Sequence, residues 1–180
     1  MPQDMRIWIT GCSGSGKSTL TRKLGAMLDL PMIHLDQLYF EPDWRDPPDG
    51  QFEARAQQAV SGANWIIDGG FTGRLGNLVP SHATHIIYFD IPRLHCMYGV
   101  IKRVATTYGQ VRPDAAPGCP ERFDIGFFGW VWHYKRDINP AIEALIAAIQ
   151  PEQTAYTLHK RKEGDAICAT LHAIRFSDRA

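Results

Sequence analysis

The sequence predicts an α/β fold in which helices cover both faces of a parallel sheet. Short apolar runs, typical of buried strands, occur five times along the chain. Between these runs apolar residues recur at helical spacing, so strands and helices alternate. Because consecutive parallel strands are joined by right-handed crossovers, this alternation places helices on both sides of one sheet. No internal repeat or linker interrupts the pattern, and residues 1–180 are expected to form a single domain.

The predicted strands comprise residues 7–10, 32–36, 65–68, 85–90 and 154–158. Helices are predicted after the glycine-rich turn that follows the first strand, after Pro47-Pro48, and near residues 166–174. Two further helices are each expected to bury one apolar face. The first presents Leu94, Met97, Ile101 and Val104, and the second lies between residues 138 and 149.

Composition narrows the class of protein. Lys and Arg together number 19, as do Asp and Glu, and this balance argues against non-specific binding to nucleic acid. The four cysteines form no C-x-x-C pair, which argues against a zinc site made of cysteines. The chain has no signal-peptide pattern and no apolar stretch of membrane-spanning length, so a cytoplasmic location is expected. The sequence does not indicate an oligomeric state.

One glycine-rich segment carries a specific chemical signal. Residues 11–18 match the pattern G-x-x-x-x-G-K-S, directly after an apolar strand and directly before an amphipathic helix. Glycines allow the backbone N–H groups to converge on phosphate oxygens, and the helix adds its positive amino end. Lys17 is expected to reach the β- and γ-phosphates of ATP, and Ser18 to bind Mg²⁺. The predicted nucleotide-binding residues are Gly11, Ser13, Gly14, Ser15, Gly16, Lys17, Ser18 and Thr19.

Acidic residues at strand ends are candidates for the metal site and for the acceptor site. Asp68 precedes Gly69-Gly70, and Asp90 follows another apolar strand, so either could complete the Mg²⁺ site; the alternative for both is a capping or turn role. Asp36 closes the second predicted strand. It is expected to position the acceptor or to take its hydroxyl proton, and the alternative is again a capping role.

Phosphoryl transfer also requires cations around the migrating group. The candidate arginines are Arg74, Arg103, Arg112, Arg122 and Arg136. Two segments depart from the strand–helix alternation. Residues 37–50 contain aromatic side chains that could stack on a planar acceptor or pack against the core. Residues 109–123 are rich in proline and glycine, as is typical of a closing lid. The aromatic run 127–134 is predicted to be helical, directing Lys135 and Arg136 toward the phosphates.

The chain resembles the adenylate-kinase-like P-loop kinases and, more closely, the bacterial family named "DNA topology modulation protein". The matching segments are residues 11–19, 34–38, 65–69, 102–103, 112–114 and 118–121, with Trp44 and Trp130. The likeness spans roughly residues 5–160, and the joint order of these segments is more specific than the first motif alone. Adenylate kinases carry an Asp-Gly-Phe-Pro-Arg run, whereas here Arg74 comes two residues later, in Asp68-Gly69-Gly70-Phe71-Thr72-Gly73-Arg74.

The resemblance implies a P-loop NTPase three-layer sandwich with five parallel strands, an acceptor-binding segment near 37–62 and a short lid near 109–123. It also implies that Arg103, Arg112 and Arg122 lie at or in the lid. The leading hypothesis is an ATP·Mg²⁺-dependent kinase of a small molecule, either a nucleotide or a hydroxyl-bearing metabolite. One alternative is a nucleotide-dependent regulatory or DNA-binding protein with slow ATPase activity. Another is a nucleotide-binding protein that has lost catalysis.

Overall fold

A computed structural model describes residues 4–177. Its centre is a five-stranded sheet in the order β2-β3-β1-β4-β5, in which every pair of neighbours is parallel. The strands are β1 (Arg6–Gly11), β2 (Met32–His34), β3 (Trp65–Asp68), β4 (His85–Phe89) and β5 (Thr154–Leu158). All five predicted strands are present, and the predicted five-stranded parallel sheet is confirmed.

Helices cover both faces of this sheet. They are α1 (Lys17–Leu28), α2 (Leu35–Tyr39), α3 (Gln51–Val60), α4 (Thr72–Leu75), α5 (Leu78–His82), α6 (Arg93–Thr107), α7 (Ile125–Asp137), α8 (Asn139–Ala147) and α9 (Glu163–Phe176). A short 3₁₀ helix, Pro42–Trp44, lies between α2 and α3. Among residues 4–177, no helix is long and apolar enough to cross a membrane.

Continuous apolar strands allow the sheet to be buried on both sides. Along β1, Ile7 and Ile9 face a core cluster shared with α1, α6 and α9, whereas Trp8 faces a second cluster shared with α3 and α5. Ile66 and Ile67 of β3 divide between the two clusters in the same way. The three central strands, β1, β3 and β4, are therefore packed on both faces, which fixes where their carboxyl ends point.

Two sequence predictions were wrong in detail. The second strand ends at His34, and Asp36 lies in the first turn of α2 rather than at a strand end. The chain turns there because Leu35 is fully buried against Gly69, where a Cβ atom would meet the leucine side chain at 2.8 Å.

The buried face of α6 also differs from the prediction. Val104 is buried and Met97 packs against the core as predicted, but Cys96 and Val100 complete the buried face, whereas Leu94 and Ile101 are exposed. The glycine-rich loop formed by residues 11–18 packs on this face at Cys96 and Val100. This contact selects one of two apolar faces that periodicity alone does not distinguish.

The predicted lid is docked on the predicted acceptor segment. Trp44 Nε1 donates to the Pro120 carbonyl at 2.8 Å, and Gln37 Nε2 donates to the carbonyls of Pro113 at 2.7 Å and Ala115 at 3.2 Å. The Asp43 amide donates to the Gly118 carbonyl at 2.9 Å. These two segments therefore form one roof over the carboxyl edge of the sheet.

Candidate active site

A cavity of about 950 Å³ opens under this roof. Its floor is formed by the loop after β1 and by the ends of β2, β3 and β4, the edge at which open parallel sheets bind ligands. Of the eight predicted nucleotide-binding residues, seven line the cavity: Gly11, Ser13, Gly14, Gly16, Lys17, Ser18 and Thr19. Ser15 belongs to the same loop but is fully buried, and its hydroxyl has no hydrogen-bond partner among residues 4–177.

The loop from Gly11 to Ser18 is held by close backbone packing against α6. Gly14 has a φ of 74°, and a Cβ atom on it would collide with the Cys96 carbonyl. A Cβ atom on Gly99 would in turn collide with the Gly14 carbonyl. Both positions therefore require glycine, because two main chains meet there without room for a side chain.

Two cations contact carbonyl groups of this loop. Lys17 Nζ donates to the Cys12 carbonyl at 3.0 Å. Arg161, from the loop after β5, donates to the carbonyls of Gly14 at 2.7 Å and Ser15 at 3.0 Å, and also to His95 at 2.7 Å. The Ser15 amide donates to the Cys12 carbonyl at 3.3 Å. With carbonyls turned toward these cations, the other amide groups of the loop can converge on an anion.

The Cys12 side chain takes no part in the cavity. Its thiol is buried, and hydrogen bonding to Cys96 together with burial raises its pKa far above the usual range for cysteine. The residue therefore fills a small position in the loop and is a poor nucleophile.

Ser18 and Asp68 meet at the cavity floor. The Ser18 hydroxyl donates to Asp68 Oδ2 at 2.7 Å, and His34 Nδ1 lies 3.2 Å from the same oxygen. His34 and Asp68 are opposite each other in the β2–β3 register, so the sheet itself sets this contact. The histidine therefore fixes the orientation of the carboxylate beside Ser18.

Asp90, the alternative metal candidate, lies elsewhere. Its Oδ1 accepts from Lys135 at 2.9 Å and Asn139 at 3.2 Å, and His159 lies 3.4 Å from Oδ2. It does not line the cavity. The predicted direction of the two cations after the aromatic run was wrong, because Lys135 is bound to Asp90 and Arg136 pairs with Asp137 at the surface.

Asp36 projects into the cavity among charged groups of both signs. Burial and the nearby Asp68 carboxylate raise the pKa of Asp36, while Lys17, Arg112 and Arg103 act in the opposite direction. An aspartate whose proton is held more tightly than usual is a stronger base than a solvated one. This environment suits a group that accepts a proton from a neutral hydroxyl.

Two of the predicted arginines converge on one buried carboxylate. Arg112 Nε donates to Glu121 Oε2 at 2.8 Å, and Arg103 Nε lies 3.1 Å from the same oxygen. Arg103 Nη1 also reaches the Ser13 hydroxyl of the loop at 3.1 Å, and Arg112 Nη1 donates to Asp114 at 2.7 Å. Arg103 belongs to α6 and Arg112 to the lid, so the lid closes onto a helix that already contacts the loop.

The other arginines line the far side of the cavity or lie outside it. Arg122 pairs with Asp124 at 3.4 Å and lies 5.9 Å from the ring of Trp44. Arg74 pairs with Glu53 at 3.3 Å and contacts Tyr39. Both line the cavity, whereas Arg136 does not.

The aromatic side chains of the acceptor segment divide between the core and the cavity. Tyr39 is buried and packs edge-on against Phe40 and Phe52, as expected of core residues. Phe40 and Trp44 line the cavity, as does Phe71 from beyond this segment. Trp44 and Phe71 have positive φ values, 61° and 51°. Bulky residues adopt this backbone conformation only when their surroundings hold them there, and such positions concentrate at ligand sites.

The donor atoms at the floor suit Mg²⁺ and a nucleotide phosphate. A hydroxyl from Ser18 and a carboxylate from Asp68 are hard oxygen ligands, and Mg²⁺ is usually bound by only one or two such groups together with water and phosphate. Accordingly, no group of three or more His, Cys, Asp or Glu side chains within residues 4–177 forms a complete metal cage. Lys17 and amide groups of the loop lie where they could offset the charge of bound phosphates.

Sequence reasoning missed three residues that organise this site: His34, Glu121 and Arg161. A lone histidine on a strand is more often structural than functional, so His34 carries no signal of its own. Glu121 was noted only as part of a matching segment, although an acid between two candidate arginines is a usable signal. Nothing in the local sequence around Arg161 indicates its contact with the loop, because the two are 146 residues apart.

Comparison of the sequence with models of known families and with curated proteins found no match. Solved structures do match. Shikimate kinase from Acinetobacter baumannii in complex with shikimate superposes with a TM-score of 0.59 at 13% identity, over 99% of this chain and 94% of that chain. Shikimate kinase from Bacteroides thetaiotaomicron gives 0.52 at 17% identity, over 94% of this chain and 97% of that chain.

None of these comparisons confirms the resemblance to the "DNA topology modulation protein" family. At this level of identity they establish the fold, and the chain has the α/β fold of these P-loop kinases.

Proposed function

We propose that this chain is a kinase that transfers the γ-phosphoryl group of ATP·Mg²⁺ to a small-molecule acceptor. One observation carries the proposal. A phosphate-binding loop with its Lys17 and Ser18 faces Asp36 across a single roofed cavity, with Arg103 and Arg112 between the loop and the lid. Donor site, proton acceptor and charge-stabilising groups therefore share one space.

The donor half of the site follows from the loop. Its amide groups and Lys17 bind the phosphates, and residues 11–19 surround them. Ser18 and Asp68 hold Mg²⁺, which neutralises phosphate charge when bound, and His34 keeps Asp68 in place.

The acceptor half follows from Asp36. The acceptor hydroxyl oxygen forms a bond to the γ-phosphorus while the bond between that phosphorus and the ADP oxygen breaks. The hydroxyl proton passes to Asp36, whose raised pKa favours its retention. Arg103 and Arg112 stabilise the charge on the migrating phosphoryl group, and Arg122 contributes from the lid side.

The acceptor class is a hydroxyl-bearing metabolite or a nucleotide, bound beneath residues 37–62. Shikimate belongs in any acceptor panel because two structural neighbours are shikimate kinases. From the sequence we also propose that the chain forms one domain, that it is cytoplasmic and that it is related to the "DNA topology modulation protein" family. None of these proposals names an acceptor.

The test is release of ADP from ATP·Mg²⁺ in the presence of nucleoside monophosphates, nucleosides, shikimate and other hydroxylated acids. We expect one acceptor to stimulate release strongly and to appear as a phosphorylated product by mass spectrometry. Lys17→Ala should abolish that signal, and activity retained by this variant would contradict the proposal. Slow hydrolysis that no acceptor stimulates would favour the regulatory alternative, for which salt-sensitive DNA binding is the second test.

A further inference from the structure

Glu121 occupies an unusual place in the lid. Its side chain is only 5% exposed. Arg112 Nε donates a hydrogen bond to the carboxylate, whereas Arg103 Nε lies 3.1 Å from the same oxygen as an ion pair that lacks hydrogen-bond geometry. A buried carboxylate of this kind requires counter-charges, and here one oxygen, Oε2, serves both guanidinium groups.

The main chain fixes Glu121 where the lid begins and ends. The Gly109 amide donates to the Glu121 carbonyl at 2.8 Å, and the Glu121 amide donates to the Gln110 carbonyl at 2.9 Å. The main chain of Glu121 is thus fixed to residues 109 and 110, where the lid begins.

The two arginines need such an anchor because they repel each other. Burial and the neighbouring Arg112 both lower the pKa of Arg103, and Glu121 counteracts that effect. Glu121 contacts each guanidinium at Nε, on the side of the arginine's own main chain. Of the terminal nitrogens, Arg103 Nη1 extends to Ser13 in the phosphate-binding loop, and Arg112 Nη1 donates to Asp114.

We propose that Glu121 is a positioning residue, which holds Arg103 and Arg112 side by side by their Nε atoms so that their terminal nitrogens meet the donor phosphates. This inference rests on the proposed function, since it assigns those arginines to phosphate. Glu121 also lines the cavity, and the role assigned to it here is exerted through the two arginines.

The experiment measures the affinity for the non-hydrolysable ATP analogue AMP-PNP with Mg²⁺ by calorimetry. We expect Glu121→Gln to weaken binding on the order of tenfold, because the repelling guanidinium groups separate. Glu121→Asp, which keeps the charge, should recover part of the loss. Glu143→Gln, at an exposed position on α8, is the matched control and should bind like the wild type.

A double-mutant cycle separates positioning from general destabilisation. In an Arg103→Ala/Arg112→Ala background, Glu121→Gln should change the affinity by less than about twofold. An equal loss in both backgrounds, or none in the wild-type background, would overturn the inference. Failure of the wild type itself to bind AMP-PNP would instead overturn the proposed function.

An NMR measurement tests the positioning without any nucleotide. The Nε–H of Arg112, which donates to Glu121, should be protected from solvent exchange in the wild type and lose that protection in Glu121→Gln, and the guanidinium signals of Arg103 should shift in the same variant. Unchanged protection in a folded variant, as judged by its melting temperature, would show that Glu121 does not hold these side chains.

Discussion

The Ser18 hydroxyl donates a 2.7 Å hydrogen bond to Asp68, fifty residues further along the chain. The contact exists because β1 and β3 are neighbours, with Ile9 opposite Asp68, so the loop after β1 passes directly over the end of β3. Two residues that seem unrelated in sequence thereby form the proposed Mg²⁺ site.

Removing either the Ser18 hydroxyl or the Asp68 carboxylate should impair the use of Mg²⁺ more than folding. For Ser18→Ala and Asp68→Asn we expect phosphoryl transfer to fall on the order of a hundredfold, because charge on the phosphates is no longer neutralised in place. The Mg²⁺ concentration for half-maximal activity should rise. Ser18→Thr keeps the hydroxyl and is the control; a Mg²⁺ titration that does not shift in the first two variants would refute the assignment.

The raised pKa of Asp36 predicts the pH dependence of the reaction. Only the carboxylate form accepts a proton, so activity should be lost as the pH falls through the pKa of Asp36. Burial and Asp68 raise that pKa, which places the loss at a higher pH than for a solvated aspartate. The check is a pH profile of kcat, and an acidic limb at the pH of an ordinary aspartate would contradict this role.

The same group should destabilise the folded protein at neutral pH. A folded-state pKa above the unfolded one means that stability is lost as the pH rises through the folded-state pKa. Asp36→Asn should therefore raise the melting temperature at neutral pH while abolishing transfer, and this gain should vanish below the unfolded-state pKa. Thermal melts at the two pH values, compared with the wild type, test the sign.

Arg161 should affect nucleotide affinity rather than chemistry. Its guanidinium fixes two carbonyl groups of the phosphate-binding loop and one of α6, at 2.7 to 3.0 Å. Arg161→Ala should raise the KM for ATP on the order of tenfold, with a much smaller change in kcat. Arg161→Lys cannot span three acceptors with a planar fork and should be intermediate. A fall confined to kcat would exclude this role.

The contact between Gly99 and Gly14 should not tolerate a methyl group. In Gly99→Ala the new Cβ would collide with the Gly14 carbonyl, displacing the loop and weakening AMP-PNP binding. Gly129→Ala in α7 is the matched control, since its Cβ would meet nothing within 4 Å. The control should gain about 0.5–1 kcal/mol in the free energy of unfolding, because alanine favours the helix. Equal nucleotide affinity in both variants would contradict the packing argument.

Sequence reasoning succeeded where local patterns determine structure. Apolar runs such as Trp65–Asp68 are buried on both faces, so their strand character is visible without any partner. The loop before Lys17 has its own spacing signature. The assignments to individual site residues stay predictions, although the structure places Asp36, Asp68, Arg103, Arg112 and Arg122 around one cavity.

Sequence reasoning failed where contact with a distant element decides which of two apolar faces is buried or where a strand ends. Leu94 and Ile101 fit an apolar helical face, yet the phosphate-binding loop packs on the neighbouring face of α6. The end of β2 is set by packing of Leu35 against Gly69, which directly follows β3, the next strand of the sheet. Such choices depend on tertiary contacts and leave no mark in local periodicity.

The docking of the lid on the acceptor segment has an evolutionary consequence. Gln37 and Trp44 hold the lid through the main-chain carbonyls of Pro113, Ala115 and Pro120, which any amino acid would supply. Side chains of the lid can therefore be replaced without loss of these hydrogen bonds, provided that Gln37 and Trp44 remain. The side chains of the lid could therefore change during selection for a new acceptor, while Gln37 and Trp44 keep the lid docked on the acceptor segment.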